Sequence, residues 1–336
     1  MFLSGHDEIF EDICKELPKD YFKLTDKYIF FNKEKIIKGI QYIDLPCGIY
    51  ELTKNKKNLI FHSKTLCNSI KILNIINDVP TKNNNTIFQH HRGYFAHLHS
   101  MTTDPENTNR KIRNKIILTI IGYALLAVYD DKIYTKTIYP NAMWIGFIIH
   151  IITDSYSPSH TIRSSKLKYK IVNKPSISKE KEYALKQHEY IKRMAKKDKL
   201  YTSIKFNNKL QYDAYKLLKF EFDINKISKR YVKNNLKETL KYYQGDIISF
   251  QYSLNQPLFM HQSLDLLYNV KNNKKIYRKM INECKELLII YKKALITKNI
   301  KKYIYDILNL LLNKTFRMTT DNLESKSNKI YNYYDY

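Results

Sequence analysis

Cysteine is scarce, and none of it is spaced for a metal or redox site. Cys14, Cys47, Cys67 and Cys284 form no CxxC pair, which leaves them a reduced, structural role. Glycine, proline and tryptophan number only 7, 8 and 1 in 336 residues, whereas lysine, asparagine, isoleucine and tyrosine abound. Arginine supplies just eight of the 58 basic side chains. That mixture suits A/T-rich codons, so the net charge of +26 gives only weak support for a polyanionic partner, nucleic acid or an anionic membrane surface. A secretory leader is missing too. The start, MFLSGHDEIFEDI, has acids by residue 7 and no apolar centre, which predicts an intracellular protein. No apolar run reaches the length of a membrane span: 116–129 falls short, and 142–153 carries His150. Both read as buried helices of a soluble bundle.

What the chain does have is concentrated in residues 142–160, AMWIGFIIHIITDSYSPSH. The run from 142 to 152 is apolar except for His150, and Asp154 follows four residues later, one helical turn away on the same face. Pro158 stops the helix and His160 comes directly after the turn. An imidazole, a carboxylate and a second imidazole at one helix end suit a cluster of divalent metals. A His with an acid at +4 is weak evidence, because chance alone should produce about one such pair here. Requiring Pro at +8 and His at +10 as well lowers the odds by a further factor of roughly 1400. The competing reading is a buried helix whose polar residues satisfy one another. A second pair at one-turn spacing, His261 and Asp265, stands in NQPLFMHQSLDLLYNV.

GFIIHIITDSYSPSH resembles the signature of the zinc-dependent phospholipase C family, which includes single-strand-specific fungal nucleases. The resemblance implies an all-α fold, here a single multi-helix domain over 1–317 with a basic, Lys-rich insertion at about 163–256. Residues 318–336, polar and rich in Tyr and Asn, are expected to be a disordered tail. Along the chain, 5–17 reads as an amphipathic helix with Ile9, Phe10, Ile13 and Leu17 on one face, and 38–50 as a loop closed by Pro46 and Gly48. Helical periodicity in the insertion centres on 183–197, 209–221 and 227–243, and a long helix over 275–313 should break near 297–299.

The resemblance also implies the site. A family histidine near the N-terminus corresponds to His6, with an exposed helix-start histidine as the alternative. An early aspartate ligand corresponds to Asp44, inside the apolar run YIDLP, or Asp44 is a solvated turn residue. Four histidines crowd 88–99. His99, which opens HSMTTDPENTN, is the chosen ligand; His62, His91 and His97 remain substitutes, and Arg92 is a candidate phosphate contact. His188 rivals His261 as the late histidine, but Lys192 at its +4 position argues against it. The implied set is therefore His6, Asp44, His99, His150, Asp154, His160, His261 and Asp265, holding two or three Zn²⁺ ions. A metal-activated water would attack phosphorus in line, with Asp44 as general base. The expected activity is phosphodiester hydrolysis, phospholipase C-like with a peripheral membrane contact. Alternatives are a single-strand nuclease on the same scaffold, or a catalytically silent basic binding or structural relative.

Overall fold

The structure is a computed structural model that describes residues 3–22, 33–43, 96–102, 104, 106–128, 141–164, 245–252, 264–265, 267–297 and 299–326. Helix makes up 71% of that part and the only sheet in it has two short strands, so the architecture is a helical one. Its elements in order are α1 (Leu3–Lys15), α2 (Lys33–Tyr42), a 3-10 turn (Ala96–His99), α3 (Asn109–Val128), α4 (Asn141–Asp154), β1 (Thr161–Arg163), β2 (Ile247–Phe250), α5 (Leu267–Lys271), α6 (Lys274–Thr297), α7 (Ile300–Leu310) and α8 (Thr320–Glu324). Among the described residues no helix is long and apolar enough to cross a membrane.

α4 is the axis of the core. It is apolar on every side, and every residue from 144 to 154 is buried, because α2, α3, α6 and the 3-10 turn pack around it. The helices outside it are amphipathic. α1 turns Ile9, Phe10 and Ile13 inward, and α2 does the same with Ile36 and Ile40, followed by Ile43. α6 and α7 meet at Asn299, whose side chain accepts from the Lys302 backbone N–H at 3.0 Å and starts the second helix. The break expected near 297–299 is there.

α2 lies directly on α4 at a crossing of two glycines. A Cβ on Gly146 would stand 2.2 Å from the Ile36 carbonyl oxygen and 2.7 Å from the Gly39 Cα. Backbone therefore meets backbone, which no larger pair allows. The helix also corrects an expectation: residues 38–42, read as part of a loop, belong to α2. Gly39 is the residue that admits the partner helix.

Two further expectations change. Thr161, Ile162 and Arg163 pair antiparallel with Phe250, Ser249 and Ile247 across a bulge, and Ser164 exchanges backbone hydrogen bonds with Gly245 and Asp246. Residues 245–252, inside the stretch read as an insertion, thus pack into the core, and Ser164 and Gly245 are held side by side. At the other end, the tail assigned to disorder from 318 begins with folded structure. α8 buries Leu323, and the Asn109 side-chain amide at the start of α3 donates to the Asn322 carbonyl and the Ser325 hydroxyl, both at 2.9 Å.

Gly146→Ala should destabilise the protein by about 1–3 kcal/mol, because the added methyl overpacks the crossing. In an unobstructed helix interior the same change stabilises by roughly 0.5–1 kcal/mol. Urea unfolding monitored by circular dichroism reads the sign. A variant as stable as the parent would remove the backbone contact as an explanation of the fold.

Candidate metal centre

The site begins where α4 ends. The helical spacing puts the His150 Nε2 3.1 Å from Asp154 Oδ2. Tight turns follow: the Ser157 N–H donates to the Asp154 carbonyl at 2.9 Å, and the His160 N–H to the Ser157 carbonyl at 3.0 Å. They fold the chain back over Pro158, so that His160 Nδ1 lies 3.2 Å from the Asp154 carbonyl and 3.4 Å from its Oδ2. The Gln251 N–H, just past β2, donates to the His160 carbonyl at 2.9 Å and holds the turn closed.

Two other segments come in from the side. His99 ends the 3-10 turn, with its Nδ1 2.7 Å from Asp154 Oδ2. The next residue, Ser100, has φ 54°, an uncommon conformation for a non-glycine, and its hydroxyl donates to the Ile151 carbonyl at 2.9 Å. α1 brings His6, whose Nε2 is 3.2 Å from Asp154 Oδ1. Asp265 completes the group: the hydroxyls of Ser157 and Ser159 donate to its Oδ1 at 2.6 and 3.0 Å, and His160 Nε2 stands 3.6 Å away.

The hydrogen bonds on the outer side of three rings settle their tautomers. A carbonyl oxygen only accepts, so His150 Nδ1 donates its proton to Ile40 O at 2.8 Å, and His160 Nδ1 to Asp154 O. The Thr153 hydroxyl spends its hydrogen on the His150 carbonyl and so accepts from His6 Nδ1 at 2.9 Å. Each neutral ring then turns an Nε2 lone pair toward a carboxylate oxygen. Lone pair against carboxylate is repulsive, and a cation between them converts the repulsion into coordination. Metal-ligating histidines are held in this way, with the outer N–H on a carbonyl or hydroxyl.

Titration behaviour agrees. Burial, followed by the neighbouring His150, lowers the His6 pKa to about 3, and burial also lowers that of His160 despite Asp154 and Asp265 nearby. Burial pushes the Asp154 carboxyl upward, but positive charge, that of the amino terminus first and then of the imidazoles of His160, His150 and His6 when protonated, outweighs it and holds the group well below the usual carboxylate range. Neutral imidazoles around an ionised carboxylate are the protonation states that metal binding requires.

Two donor groups fit a cation: His6, His150 and Asp154, and Asp154, His160 and Asp265. Within each, the ligand atoms lie within 4.8 Å of one another. The separations of 3.2, 3.1 and 3.6 Å between His6, His150 or His160 Nε2 and a carboxylate oxygen bracket the edge of a tetrahedral zinc site, about 3.3 Å for bonds of about 2.0 Å. Asp154 belongs to both groups. Imidazoles and carboxylates without thiolates suit a divalent ion such as zinc or manganese.

Six of the eight residues expected as ligands are thus brought together: His6, His99, His150, Asp154, His160 and Asp265. His97 is buried in the same 3-10 turn as His99, and neither belongs to a donor group, although His99 reaches Asp154. Asp44, His62, His91, Arg92, His188 and His261 lie outside the described residues. Sequence reasoning missed Thr153, Ser157 and Ser159. The serines on either side of Pro158 were the available signal, since such short hydroxyls within a metal motif suit outer-shell hydrogen bonds.

It also missed the brace of the corner. Arg163 donates through Nε to the Ser155 carbonyl at 2.8 Å, through Nη1 to Gly245 O at 2.6 Å, and through Nη2 to the Ser155 hydroxyl and Thr315 O, both at 2.9 Å. Its guanidinium lies 3.8 Å over the Tyr156 ring, and the Tyr156 hydroxyl donates to Glu283 Oε2 at 2.5 Å. Thr315 closes a single π turn, Leu311–Thr315, that runs on from α7.

If these groups hold zinc, adding the ion should raise thermal stability, by about 2.7 kcal/mol at a concentration one hundred times the dissociation constant. Asp154→Asn should abolish the shift, because it removes a donor charge from both groups. Differential scanning calorimetry of the two proteins, each with and without zinc, measures this; equal shifts would show that zinc binds elsewhere. No family model, curated protein or solved structure matches the chain, so the reading of this corner rests on its own geometry.

Proposed function

We propose that the chain is a zinc-dependent phosphodiester hydrolase of the phospholipase C and single-strand nuclease type, acting first on phospholipid. The carrying observation is the Asp154 carboxylate shared by two donor groups, with the imidazole protons turned outward. The mostly helical architecture is compatible with the all-helical domain that the resemblance implies.

Bound divalent ions would supply Lewis-acid polarisation of a phosphodiester and activation of water. The chain's own residues hold and aim them. Asp154 stands at the C-terminus of α4, where the helix dipole adds negative potential and favours cations. His6 approaches its Oδ1, and His150 and His160 its Oδ2. Ser157 and Ser159 fix the Asp265 oxygen that faces His160. In this reading Asp44 and His261 complete the two sets, and Asp44 accepts the proton.

A second reading draws on burial. Catalytic zinc sites keep an open position and structural ones are closed, and the six gathered side chains are at most 3% exposed. A silent relative whose ions only brace the fold has that property.

The deciding experiment combines metal analysis of the purified protein with parallel assays on phosphatidylcholine vesicles, single-stranded DNA and RNA. The expected result is about two zinc ions per chain, one for each donor group, and lipid hydrolysis that Asp154→Asn lowers by more than about a hundredfold. Cleavage of nucleic acid but not lipid would replace the phospholipase with the nuclease. Bound zinc with no hydrolysis favours the structural role, and zinc at trace level overturns both.

A further inference from the structure

Away from the metal corner, α6 and the π turn enclose a cleft of about 500 Å³ to which none of the six gathered residues contributes. Lys275, Arg278 and Lys279 line it from one face of α6, at i, i+3 and i+4. Lys314 and Arg317 line it from the opposite wall. Those two are already compensated: Lys314 Nζ lies 2.6 Å from Glu286 Oε2, and Arg317 Nε 3.4 Å from Asp246 Oδ2. The three on α6 are not. Among the described residues Lys275 and Arg278 form no ion pair, and the hydrogen bond of Lys279, to Gly245 O, is long at 3.4 Å.

The floor adds little negative charge. Glu283, nearly sealed from solvent, is committed to the Tyr156 hydroxyl, and burial pushes its carboxyl toward the protonated form. Lys279 runs past Gly245, whose φ of 90° and missing side chain leave it room; a Cβ there would come within 3.3 Å of the ammonium. Three cationic groups therefore converge on one turn of helix, with amides from Asn282 and Asn313 beside them.

We propose that this cleft binds a single phosphate group, of a free phosphate ester or of a lipid headgroup. Lys275, Arg278 and Lys279 are its ligands, the guanidinium taking two oxygens and the ammonium groups the remainder. Among the described residues a nucleic-acid backbone is disfavoured, because Glu286 interrupts the basic lining of the cleft and leaves no continuous track for successive phosphates. The site is independent of the proposed hydrolase activity.

The test uses the full chain and two probes: inorganic phosphate, followed by titration calorimetry, and phosphatidylcholine vesicles with and without phosphatidic acid, followed by sedimentation. Lys275 and Arg278 are exposed, so Lys275→Gln/Arg278→Gln should keep the parent circular dichroism spectrum. Lys293→Gln/Lys301→Gln removes the same charge from exposed positions that do not line the cleft. The expected result is binding weakened roughly tenfold or more by the cleft pair and little changed by the control pair. Loss in the phosphate arm identifies a free ester, and loss confined to phosphatidic acid vesicles a headgroup. Three results overturn the site: no saturable binding of either probe by the parent, equal binding by parent and cleft variant, or equal loss in both double variants. The second would also be seen if phosphate bound only at the metal corner.

Discussion

A carboxylate kept charged in a place without water is the constraint on which this structure depends. Burial alone would protonate Asp154, and an isolated buried carboxylate costs several kcal/mol. Four imidazoles gather around it, and each comes from a different place: α1, the 3-10 turn, α4 itself and the turn past Pro158. Elements far apart in the chain are thus required to meet at one side chain. The outer hydrogen bonds of His6, His150 and His160 then turn the lone pairs inward, an arrangement in which the meeting point could hold a cation.

The backbone supports this in two ways. The glycine crossing lets α2 lie on α4 closely enough for the Ile40 carbonyl to reach His150 Nδ1, so a packing feature determines a tautomer. Arg163 ties Ser155, next to Asp154, to Gly245 beside β2 and to Thr315 at the π turn. Tyr156 lies under that guanidinium and reaches Glu283 on α6. The candidate metal corner and the floor of the basic cleft therefore share one hydrogen-bonded connection, through a residue two positions past Asp154.

Legibility in the sequence followed from how local each signal was. His150, Asp154, Pro158 and His160 lie within eleven residues, and helical spacing plus one proline placed them. The amphipathic face of α1 and the break before Asn299 were readable for the same reason. α2 was partly lost because Pro46 and Gly48 mark a loop whose start no local pattern fixes, and the helix that packs on Gly39 is far away in the chain. β1 and β2 are three and four residues long and far apart, so neither shows a period before pairing. The tail looked disordered because its polar residues find partners far away in the chain, at the start of another helix: Asn109 holds Asn322 and Ser325, and Arg110 holds Glu324.

Taken alone, the sequence determined a mostly helical protein and a helix end rich in metal-ligand side chains, since periodicity and residue type are properties of short stretches. Only the tertiary structure decided that His6, His99 and Asp265 join that end. It also decided which imidazole nitrogens carry protons, which serines orient Asp265, and that Arg163 braces the corner. Those outcomes depend on distances between segments that loop closure and core packing set together, and no local pattern encodes them.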